Sequence, residues 1–514
     1  MQISRVMTAD GALVGRSDGR VQVYKGIPYA APPVGELRWR PPQPVAAWSG
    51  ERAALEFGPS AHQAGPEGIA DLRTIGGAGA PFSEDCLTLN VWAPALGGGA
   101  DAPAACRHGA PVMVWLHGGS GRMGAGSLPF YDGGAFAADG VVLVTLNYRL
   151  GQLGFFGHPA LRRAAAPDEP LASFGIMDQI AALRWVRDNI AAFGGDPRRV
   201  TLFGESMGGF HVLALMACPS AQGLFQQAIV QSGGGWFPPN PLKKVEARGA
   251  ALASTLGLPG AQATLEQLRA LPAELVAAVP GEFQPVIDGR LLPQDLTPAL
   301  AREAAAHIPL IIGANSGEDS LLNYPGGFER YLKGLKPALL AKAGACYGLA
   351  PEGSARLLFR DMLFVAPARW VARRRRRSPA YLYLFDQADA GGDSPRAGHG
   401  SEIGFVFQTL DSRPDGVAPR APDRQLALDM HRRWVAFAHH GVPGEGWPRY
   451  RAGSDEWMLF QAPHGRISPV PRKGLDWHER RMRWIIALFT LKSRLTTTLA
   501  TLARAVGGGR GRPR

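Results

Sequence analysis

The fold is decided by one stretch of the sequence, Val200-Thr201-Leu202-Phe203-Gly204-Glu205-Ser206-Met207-Gly208-Gly209-Phe210-His211-Val212-Leu213. Its first four residues predict a buried strand, and the apolar residues that follow His211 predict a helix. Between them lies the pattern G-x-S-x-G, whose glycines permit the tight turn that lifts a serine hydroxyl off a sheet. The amino end of the following helix then faces developing negative charge. The stretch therefore predicts a strand, a sharp turn and a helix, with Ser206 as a candidate nucleophile.

Short apolar runs elsewhere in the chain predict a large sheet around this strand. They lie at residues 112–116, 141–146, 200–203, 228–230, 309–312 and 380–385. Most are separated by segments long enough for a helix, which is typical of a parallel sheet buried on both faces. The β-rich opening of the chain predicts a small antiparallel lead-in. Proline-broken pieces between Pro241 and Leu300 predict short helices inserted over the active site. The predicted fold class is α/β, with a mostly parallel central sheet flanked by helices.

Composition and charge limit the classes of protein that this chain can belong to. Of its 514 residues 46% are hydrophobic and 19% charged, which excludes a largely disordered chain, and no apolar run is long enough to span a bilayer. The net charge is +12, but the last 44 residues contribute +9 and the arginine run 373–377 contributes +5. The remaining chain is close to neutral, so no nucleic-acid partner is expected. We interpret the arginine run as the exposed face of a helix.

Other expectations concern compartment, cofactors and domain limits. The amino terminus has no apolar stretch of the kind that a secretory signal needs, so we expect a cytoplasmic protein. No Cys/His spacing suggests zinc, and we expect neither metal nor cofactor. We predict one domain over residues 1–484, followed by a basic amphipathic extension over residues 485–514 that is compatible with partial disorder. The sequence does not indicate an oligomeric state.

The carboxyl-terminal segment allows two interpretations. Leucines and other apolar residues recur every three or four positions between Trp484 and Val506, with Lys492, Arg494 and Arg504 off that stripe. Such a basic amphipathic helix could make a weak, reversible contact with an anionic membrane. Alternatively, the helix packs on its own domain and frays at its end. The threonines at 496–498 lower helix propensity and favour the second interpretation.

A serine nucleophile needs a base, and the base needs a partner that fixes its tautomer. Of the twelve histidines, His399 lies in a turn-rich segment after the predicted strand 380–385. Glu318 follows the predicted strand 309–312 after a short loop and could be the acid; a solvated loop carboxylate is the alternative. The order serine, acid, histidine is that of the α/β hydrolases.

A glycine-rich loop supplies candidate donors for an oxyanion. His117-Gly118-Gly119-Ser120-Gly121 follows the predicted strand 112–116 directly, and its small side chains let the backbone approach a substrate. The amide of Met207, the residue after the candidate nucleophile, would be a further donor. A turn without a catalytic role is the alternative for this loop when it is considered alone.

Together these residues resemble the type-B carboxylesterase family, the α/β-hydrolase group that includes para-nitrobenzyl esterases and cholinesterases. The resemblance extends from about residue 10 to about residue 460. Its motifs occur in the family's order and read Gly26-Ile27-Pro28-Tyr29-Ala30-Ala31-Pro32-Pro33, Arg38-Trp39-Arg40-Pro41-Pro42, Ser83-Glu84-Asp85-Cys86-Leu87, Asn147-Tyr148-Arg149-Leu150-Gly151 and Phe193-Gly194-Gly195-Asp196-Pro197.

The resemblance implies a serine hydrolase that cleaves small-molecule carboxylic esters through an acyl-enzyme intermediate. It implies Ser206 as nucleophile, Glu318 as the orienting acid and His399 as general base and acid. A serine at the position of Ser232 supports the acid and the histidine in this family. The implied oxyanion donors are the amides of Gly119, Ser120 and Met207.

Several positions depart from the family's pattern. Ser120 stands where glycine or alanine is common, and Gly121 where an aromatic residue is common. Met207 replaces a usual alanine and could narrow the acyl pocket. His211 replaces a small residue, and packing is the favoured interpretation of it.

Two other functions stay open on the sequence. One is a non-catalytic adhesion or scaffold protein of the same fold, against which the joint presence of Ser206, Glu318 and His399 argues. The other is an enzyme whose main substrate is an amide, a thioester or a lactone, since these use the same groups.

Overall fold

A computed structural model of the chain describes residues 2–63, 81–95, 109–236, 240–302, 307–323, 326–388, 395–412, 417–470 and 472–485. In these ranges thirteen strands form one sheet with the order β1-β2-β3-β5-β7-β6-β8-β9-β10-β11-β12-β13, and β4 pairs with β2. The strands are β1 Gln2–Thr8, β2 Gly11–Ser17, β3 Val21–Pro28, β4 Glu51–Ala53, β5 Thr88–Pro94, β6 Ala110–Leu116, β7 Val142–Leu146, β8 Gly195–Glu205, β9 Gln227–Gln231, β10 Leu310–Asn315, β11 Ala380–Phe385, β12 Glu456–Gln461 and β13 His464–Pro469.

The sheet is parallel in its centre and antiparallel at its ends. Strands β7, β6, β8, β9, β10, β11 and β12 are neighbours and run parallel. At one end β1, β2, β3 and β5 are antiparallel, and at the other end β13 is antiparallel to β12. This confirms the mostly parallel sheet and its antiparallel lead-in. Because the carboxyl ends of parallel strands meet at one edge, loops from distant parts of the sequence converge there.

Helices cover both faces of this sheet. The α-helices are α1 Gly134–Ala138, α2 Gly151–Phe155, α3 Pro159–Ala164, α4 Phe174–Asn189, α5 Met207–Met216, α6 Leu242–Thr255, α7 Leu265–Arg269, α8 Ala273–Ala278, α9 Leu296–Ala301, α10 Gly327–Gly334, α11 Pro337–Tyr347, α12 Pro351–Arg360, α13 Ala366–Arg373, α14 Ile403–Phe407 and α15 Ala421–His440. A π-helical turn, Asp361–Val365, joins α12 to α13, and residues 472–485 are helical. The helices α6 to α9 confirm the predicted helical insertion, although α6 is 14 residues long and only α7, α8 and α9 are short.

The core has two layers because side chains alternate along each buried strand. In β6, Val112, Val114 and Leu116 face one apolar cluster. Met113 and Trp115 face the other cluster. The first layer also contains α4 and α5, and the second contains α14 and α15. The parallel strands are thus buried on both faces, which explains why they read as continuous apolar runs.

The arginine run was wrongly interpreted as an exposed helix face. Only Arg373 belongs to α13, and the run continues as a turn toward β11. Arg375 is buried and donates hydrogen bonds to the carbonyl oxygen of Ile308 and to the Ser378 hydroxyl. The chain must leave the helix to enter β11, and an arginine side chain can then satisfy a buried carbonyl there.

Two further expectations concern the carboxyl-terminal end and the membrane. Except for Ile485, the predicted extension lies outside the described residues. Within the described ranges, no helix is both long enough and apolar enough to cross a bilayer.

The turn between β8 and α5 depends on a close approach of two backbones. Ser206 has φ 54° and ψ −123°, a conformation that costs energy in a residue with a side chain. A Cβ atom on Gly208 would lie 1.9 Å from the carbonyl oxygen of Leu116 in β6. The first turn of α5 therefore fits against β6 only because Gly208 has no side chain.

We expect Gly208→Ala to lower the free energy of unfolding by about 3 kcal/mol, since the methyl group must displace β6 or α5. Gly453→Ala is the control, because a Cβ atom there has no neighbour within 4 Å, and it should change stability by less than about 0.5 kcal/mol. Urea unfolding followed by circular dichroism measures both. Equal stability of the two variants would contradict this account of the turn.

Candidate functional site

The loops at the carboxyl edge of the sheet bring the predicted site residues into one cluster. Ser206 follows β8, Ser232 follows β9, Glu318 lies just beyond β10, and His399 lies in the loop after β11. The strands β8, β9, β10 and β11 are consecutive neighbours in the sheet. Four residues spread over almost 200 positions of sequence thus become close in space.

Glu318 is fully buried and is held by three groups. Its Oε1 accepts hydrogen bonds from the Ser232 hydroxyl at 2.6 Å and from the backbone amide of Asn315 at 2.7 Å. Its Oε2 lies 2.5 Å from Nδ1 of His399. A buried carboxylate is costly unless it is paired and hydrogen-bonded, and here each oxygen has such partners.

His399 is held by a backbone hydrogen bond, by an aromatic ring and by a second carboxyl group. Its backbone amide donates to the Ser320 hydroxyl at 2.8 Å, and the ring of Phe364 lies 5.3 Å away, centroid to centroid. Its Nε2 faces Oε1 of Glu205 at 3.0 Å. In the described residues no hydrogen bond joins the Ser206 hydroxyl to His399. The structure thus pairs the predicted acid with the predicted histidine and places Ser206 on the neighbouring turn.

Glu205 is a site residue that sequence reasoning missed. Burial raises the pKa of this carboxyl group to about 8, and repulsion from Glu402 and Glu318 adds to the rise, although the nearby His399 opposes it. Burial alone would lower the pKa of His399, but Glu205 and Glu318 outweigh it and raise that pKa to about 10. The imidazole therefore lies between two carboxyl groups. The available signal was position: Glu205 is the residue before the candidate nucleophile.

Glu402 is a second carboxyl group that the sequence did not indicate. It accepts hydrogen bonds from the side-chain amides of Gln231 at 3.1 Å and Asn315 at 2.6 Å. Asn315 also donates to the carbonyl oxygen of Gly398. Burial raises the pKa of Glu402. These amides connect the ends of β9 and β10 to the loop that carries His399, so they fix the position of that loop.

The glycine-rich loop after β6 is held in an unusual backbone conformation. Gly119, Ser120 and Gly121 have positive φ angles of 98°, 58° and 66°. A Cβ atom on Gly119 would lie 2.1 Å from the carbonyl oxygen of Met123, so glycine is required there. In the described part of the chain no acceptor is found for the amides of Gly119 and Ser120. Backbone N–H groups without partners can stabilise a negatively charged oxygen.

The base of this loop is anchored by aromatic packing. The hydroxyl group of Tyr148 donates to the carbonyl oxygen of His117 at 2.8 Å, and the two rings stack with 4.4 Å between centroids. Burial lowers the pKa of His117 to about 4, so this ring is neutral at neutral pH. His211 is fully buried as well and contacts the Gln179 amide through Nδ1 at 2.8 Å. This burial agrees with a packing role for His211.

The chain between α8 and α9, which belongs to the helical insertion, contacts the glycine-rich loop after β6. A Cβ atom on Gly121 would lie 2.6 Å from the carbonyl oxygen of Phe283. Arg122 donates to the carbonyl oxygen of Gly281, and its guanidinium group lies over the ring of Phe283. The inserted backbone therefore occupies the space into which a side chain at position 121 would project. This explains why glycine replaces the aromatic residue that is common at this position.

A strained serine turn, a buried carboxylate–imidazole pair and free amides define the class of an α/β hydrolase. In the described ranges no group of three or more His, Cys, Asp or Glu residues is arranged to hold a metal ion. Comparisons with known proteins identify the family within this class. A model of the carboxylesterase family matches residues 2–329 and 352–473.

Named relatives agree with that match. The chain is 36% identical over 495 residues to the fumonisin B1 esterase of Sphingopyxis macrogoltabida, covering 89% of this chain and 86% of the relative. It is 35% identical over 488 residues to the para-nitrobenzyl esterase of Bacillus subtilis, covering 89% and 94%. A solved structure of a para-nitrobenzyl esterase superposes with a TM-score of 0.79 at 34% identity, covering 92% of this chain and 99% of that structure. The chain belongs to the carboxylesterase family and is a carboxylic ester hydrolase of the α/β-hydrolase fold.

We expect Glu205→Gln to lower the pKa of His399 by about one unit, because one of two neighbouring negative charges is removed. The Nδ1 proton that His399 shares with Glu318 should give a downfield proton NMR signal, assigned by its loss in His399→Ala. Its pH titration measures the shift. The control is Glu274→Gln, an exposed carboxylate, which should leave the titration unchanged. An unchanged midpoint in Glu205→Gln would show that Glu205 does not act on this histidine.

Proposed function

We propose that Ser206 is the nucleophile, His399 the general base and acid, and Glu318 the group that orients His399. The observation that carries this proposal is the 2.5 Å contact between Oε2 of Glu318 and Nδ1 of His399. It supports this choice of histidine and acid, because Nδ1 bound to a carboxylate leaves Nε2 as the proton acceptor. The strained turn at Ser206 supports the choice of nucleophile.

The proposed reaction has two halves. Ser206 attacks the ester carbonyl carbon while Nε2 of His399 takes the hydroxyl proton, and the same proton then passes to the departing alcohol. A water molecule next attacks the acyl-enzyme, again with its proton taken by His399, and the acid is released. Only neutral His399 can accept a proton. A protonated His399 is instead attracted to the Glu205 carboxylate, whose Oε1 lies 3.0 Å from Nε2, and in that state it cannot act as the base.

We propose the amides of Gly119, Ser120 and Met207 as the donors to the oxyanion. Met207 is the first residue of α5, so its amide belongs to the open end of a helix. Removing one such donor typically costs about a hundredfold or more in rate. Ser120 supplies a backbone amide whatever its side chain, so its departure from the family's pattern leaves this donor in place.

Ser232 is proposed as a positioning residue for the acid. It touches Glu318 and none of the reacting atoms. Its hydrogen bond leaves Oε2 as the oxygen that faces His399, so it fixes how the carboxylate is turned.

We propose small-molecule esters as substrates, and amides, thioesters or lactones as the alternative. The names of the relatives indicate different esters, the fumonisin B1 esterase and the para-nitrobenzyl esterase among them. Met207 is half-buried next to the nucleophile and packs against the core. A side chain of this length at that place favours short acyl groups.

We expect Ser206→Ala to abolish hydrolysis of para-nitrophenyl acetate, butyrate and octanoate, since no hydroxyl group remains to form the acyl-enzyme. Release of para-nitrophenol by the unsubstituted protein should fall from acetate to octanoate. The control is Ser412→Ala, at an exposed serine, which should keep the full rate. If Ser206→Ala hydrolyses these esters as fast as the unsubstituted protein does, Ser206 is not the nucleophile. If the unsubstituted protein hydrolyses the octanoate faster than the acetate, the acyl pocket is not narrow.

We also propose the division into a domain over residues 1–484 and an extension over residues 485–514, with a cytoplasmic location. Among the described cysteines, Cys86, Cys218 and Cys346 are free thiols, which fits a reducing compartment. For the extension we propose a helix that packs on its own domain, with a weak, reversible contact with anionic membranes, supported by its apolar stripe and its basic residues, as the alternative.

We expect a protein that ends at Arg483 and the full chain to pellet equally with anionic liposomes, because a helix packed on its own domain offers no apolar stripe to a bilayer. Membrane contact through the extension would make the shortened protein pellet less. Co-sedimentation at low salt measures the difference, and neutral liposomes are the control. Equal pelleting of the two proteins would exclude membrane contact through the extension.

A further inference from the structure

Five arginines surround one open cavity at the far end of α13. We call it the arginine cleft; its volume is about 720 Å³, and it is lined by Arg302, Arg373, Arg374, Arg376 and Arg483 together with Ala301, Ala452 and Glu479. The arginines come from the end of α9, from the end of α13 and its turn, and from the helix 472–485. Three parts of the chain thus direct guanidinium groups at the same space.

The cleft carries an excess of positive charge. Glu479 is its only lining carboxylate, and it is buried and already bonded to Arg373 at 2.9 Å and to Arg369 at 3.1 Å. Arg302 bonds the neutral side-chain amide of Gln294. Among the described residues Arg374, Arg376 and Arg483 have no carboxylate partner. A bound anion would therefore balance positive charge that the described lining residues leave uncompensated.

One guanidinium group of the cleft is held in place. Arg374 lies over the ring of Trp370 at 3.9 Å and donates to its carbonyl oxygen at 3.2 Å. Burial lowers the pKa of Arg374 to about 10, and its arginine neighbours add to the effect while Glu479 opposes it. This cation is only half exposed to water and is repelled by Arg373, Arg376 and Arg483. An anion in the cleft would relieve that repulsion.

We propose that the arginine cleft binds a phosphate-bearing anion. Guanidinium groups present paired N–H donors that match two oxygens of a phosphate group, and several of them can share a single doubly charged ligand. The cleft is separate from the proposed active site. It opens at the carboxyl end of α13, whereas Phe364, which contacts His399, precedes the amino end of this eight-residue helix. Eight residues correspond to about 12 Å of helix.

Two sources can supply this phosphate group, a dissolved phosphate compound or the head group of an anionic phospholipid. Trp484 follows Arg483 directly and is 76% exposed. Tryptophan is enriched at the membrane–water interface, so the experiment tests the phospholipid head group separately from dissolved phosphate. The chemistry of the contact, guanidinium to phosphate, is the same in both cases.

The test compares two full-length triple variants that lose equal positive charge. The cleft variant is Arg374→Gln/Arg376→Gln/Arg483→Gln. The control variant is Arg16→Gln/Arg20→Gln/Arg432→Gln, at exposed positions on the β2–β3 hairpin and on α15. Isothermal titration calorimetry measures pyrophosphate binding at constant low ionic strength. Co-sedimentation measures binding to phosphatidylcholine vesicles with and without phosphatidylglycerol. Hydrolysis of para-nitrophenyl butyrate, which does not involve the cleft, reports that each variant is folded.

We expect the unsubstituted protein and the control variant to bind pyrophosphate alike, and the cleft variant to bind it roughly tenfold or more weakly. Vesicle binding that is lost only in the cleft variant assigns the phosphate to a phospholipid; vesicle binding that survives assigns it to a dissolved compound. If the cleft and control variants behave alike with both probes, the proposal is wrong. The double variant Arg376→Gln/Arg483→Gln leaves the contact between Arg374 and Trp370 intact and decides the matter if the triple variant does not fold.

Discussion

The site depends on one buried contact, that between Glu318 and the imidazole of His399. The two residues are 81 positions apart in sequence, and the contact at 2.5 Å joins the loops that follow β10 and β11. An unpaired charge at this depth would cost several kcal/mol. The loops cannot separate without leaving that charge unpaired, so the same interaction that orients His399 also holds the carboxyl edge of the sheet together.

The surroundings of this pair explain how the protein tolerates so many buried carboxyl groups. Glu205, Glu318 and Glu402 are all buried in the same region. Glu318 is stabilised by a hydroxyl group, an amide and an imidazole, and Glu402 by two side-chain amides. Glu205 has fewer partners, and burial raises its pKa to about 8. The raised pKa reflects the cost of burying this carboxyl group in its charged form, which its nearness to His399 partly offsets.

Much of the sheet could be predicted because its strands are buried on both faces. Continuous apolar runs gave the positions of β6 to β11, and the glycines around Ser206 gave the turn. Strand β13 was missed because it has few apolar residues and lies at the edge of the sheet, whereas β12 was missed although Trp457 to Phe460 form a continuous apolar run. The arginine run was misread because charge pattern alone does not show where a helix must end. Arg375 is buried only because β10 and β11 meet beside it.

The candidate site could be predicted in part. Ser206 has a local pattern, and Glu318 and His399 follow predicted strands, so the sheet itself brings them together. Glu205 and Glu402 have no such pattern, because their importance arises from depth of burial and from groups distant in sequence. Phe364 contacts His399 from a π-helical turn, which apolar periodicity does not distinguish from an ordinary helix.

The position of Glu205 connects the fold to the control of reactivity. It ends β8 and precedes Ser206, so the strand that leads to the proposed nucleophile also places a carboxyl group 3.0 Å from Nε2 of His399. When the imidazole is protonated, the Glu205 carboxylate attracts it; when the imidazole is neutral, that attraction is lost. The charge on His399 therefore determines how strongly the residue that ends β8 holds this imidazole.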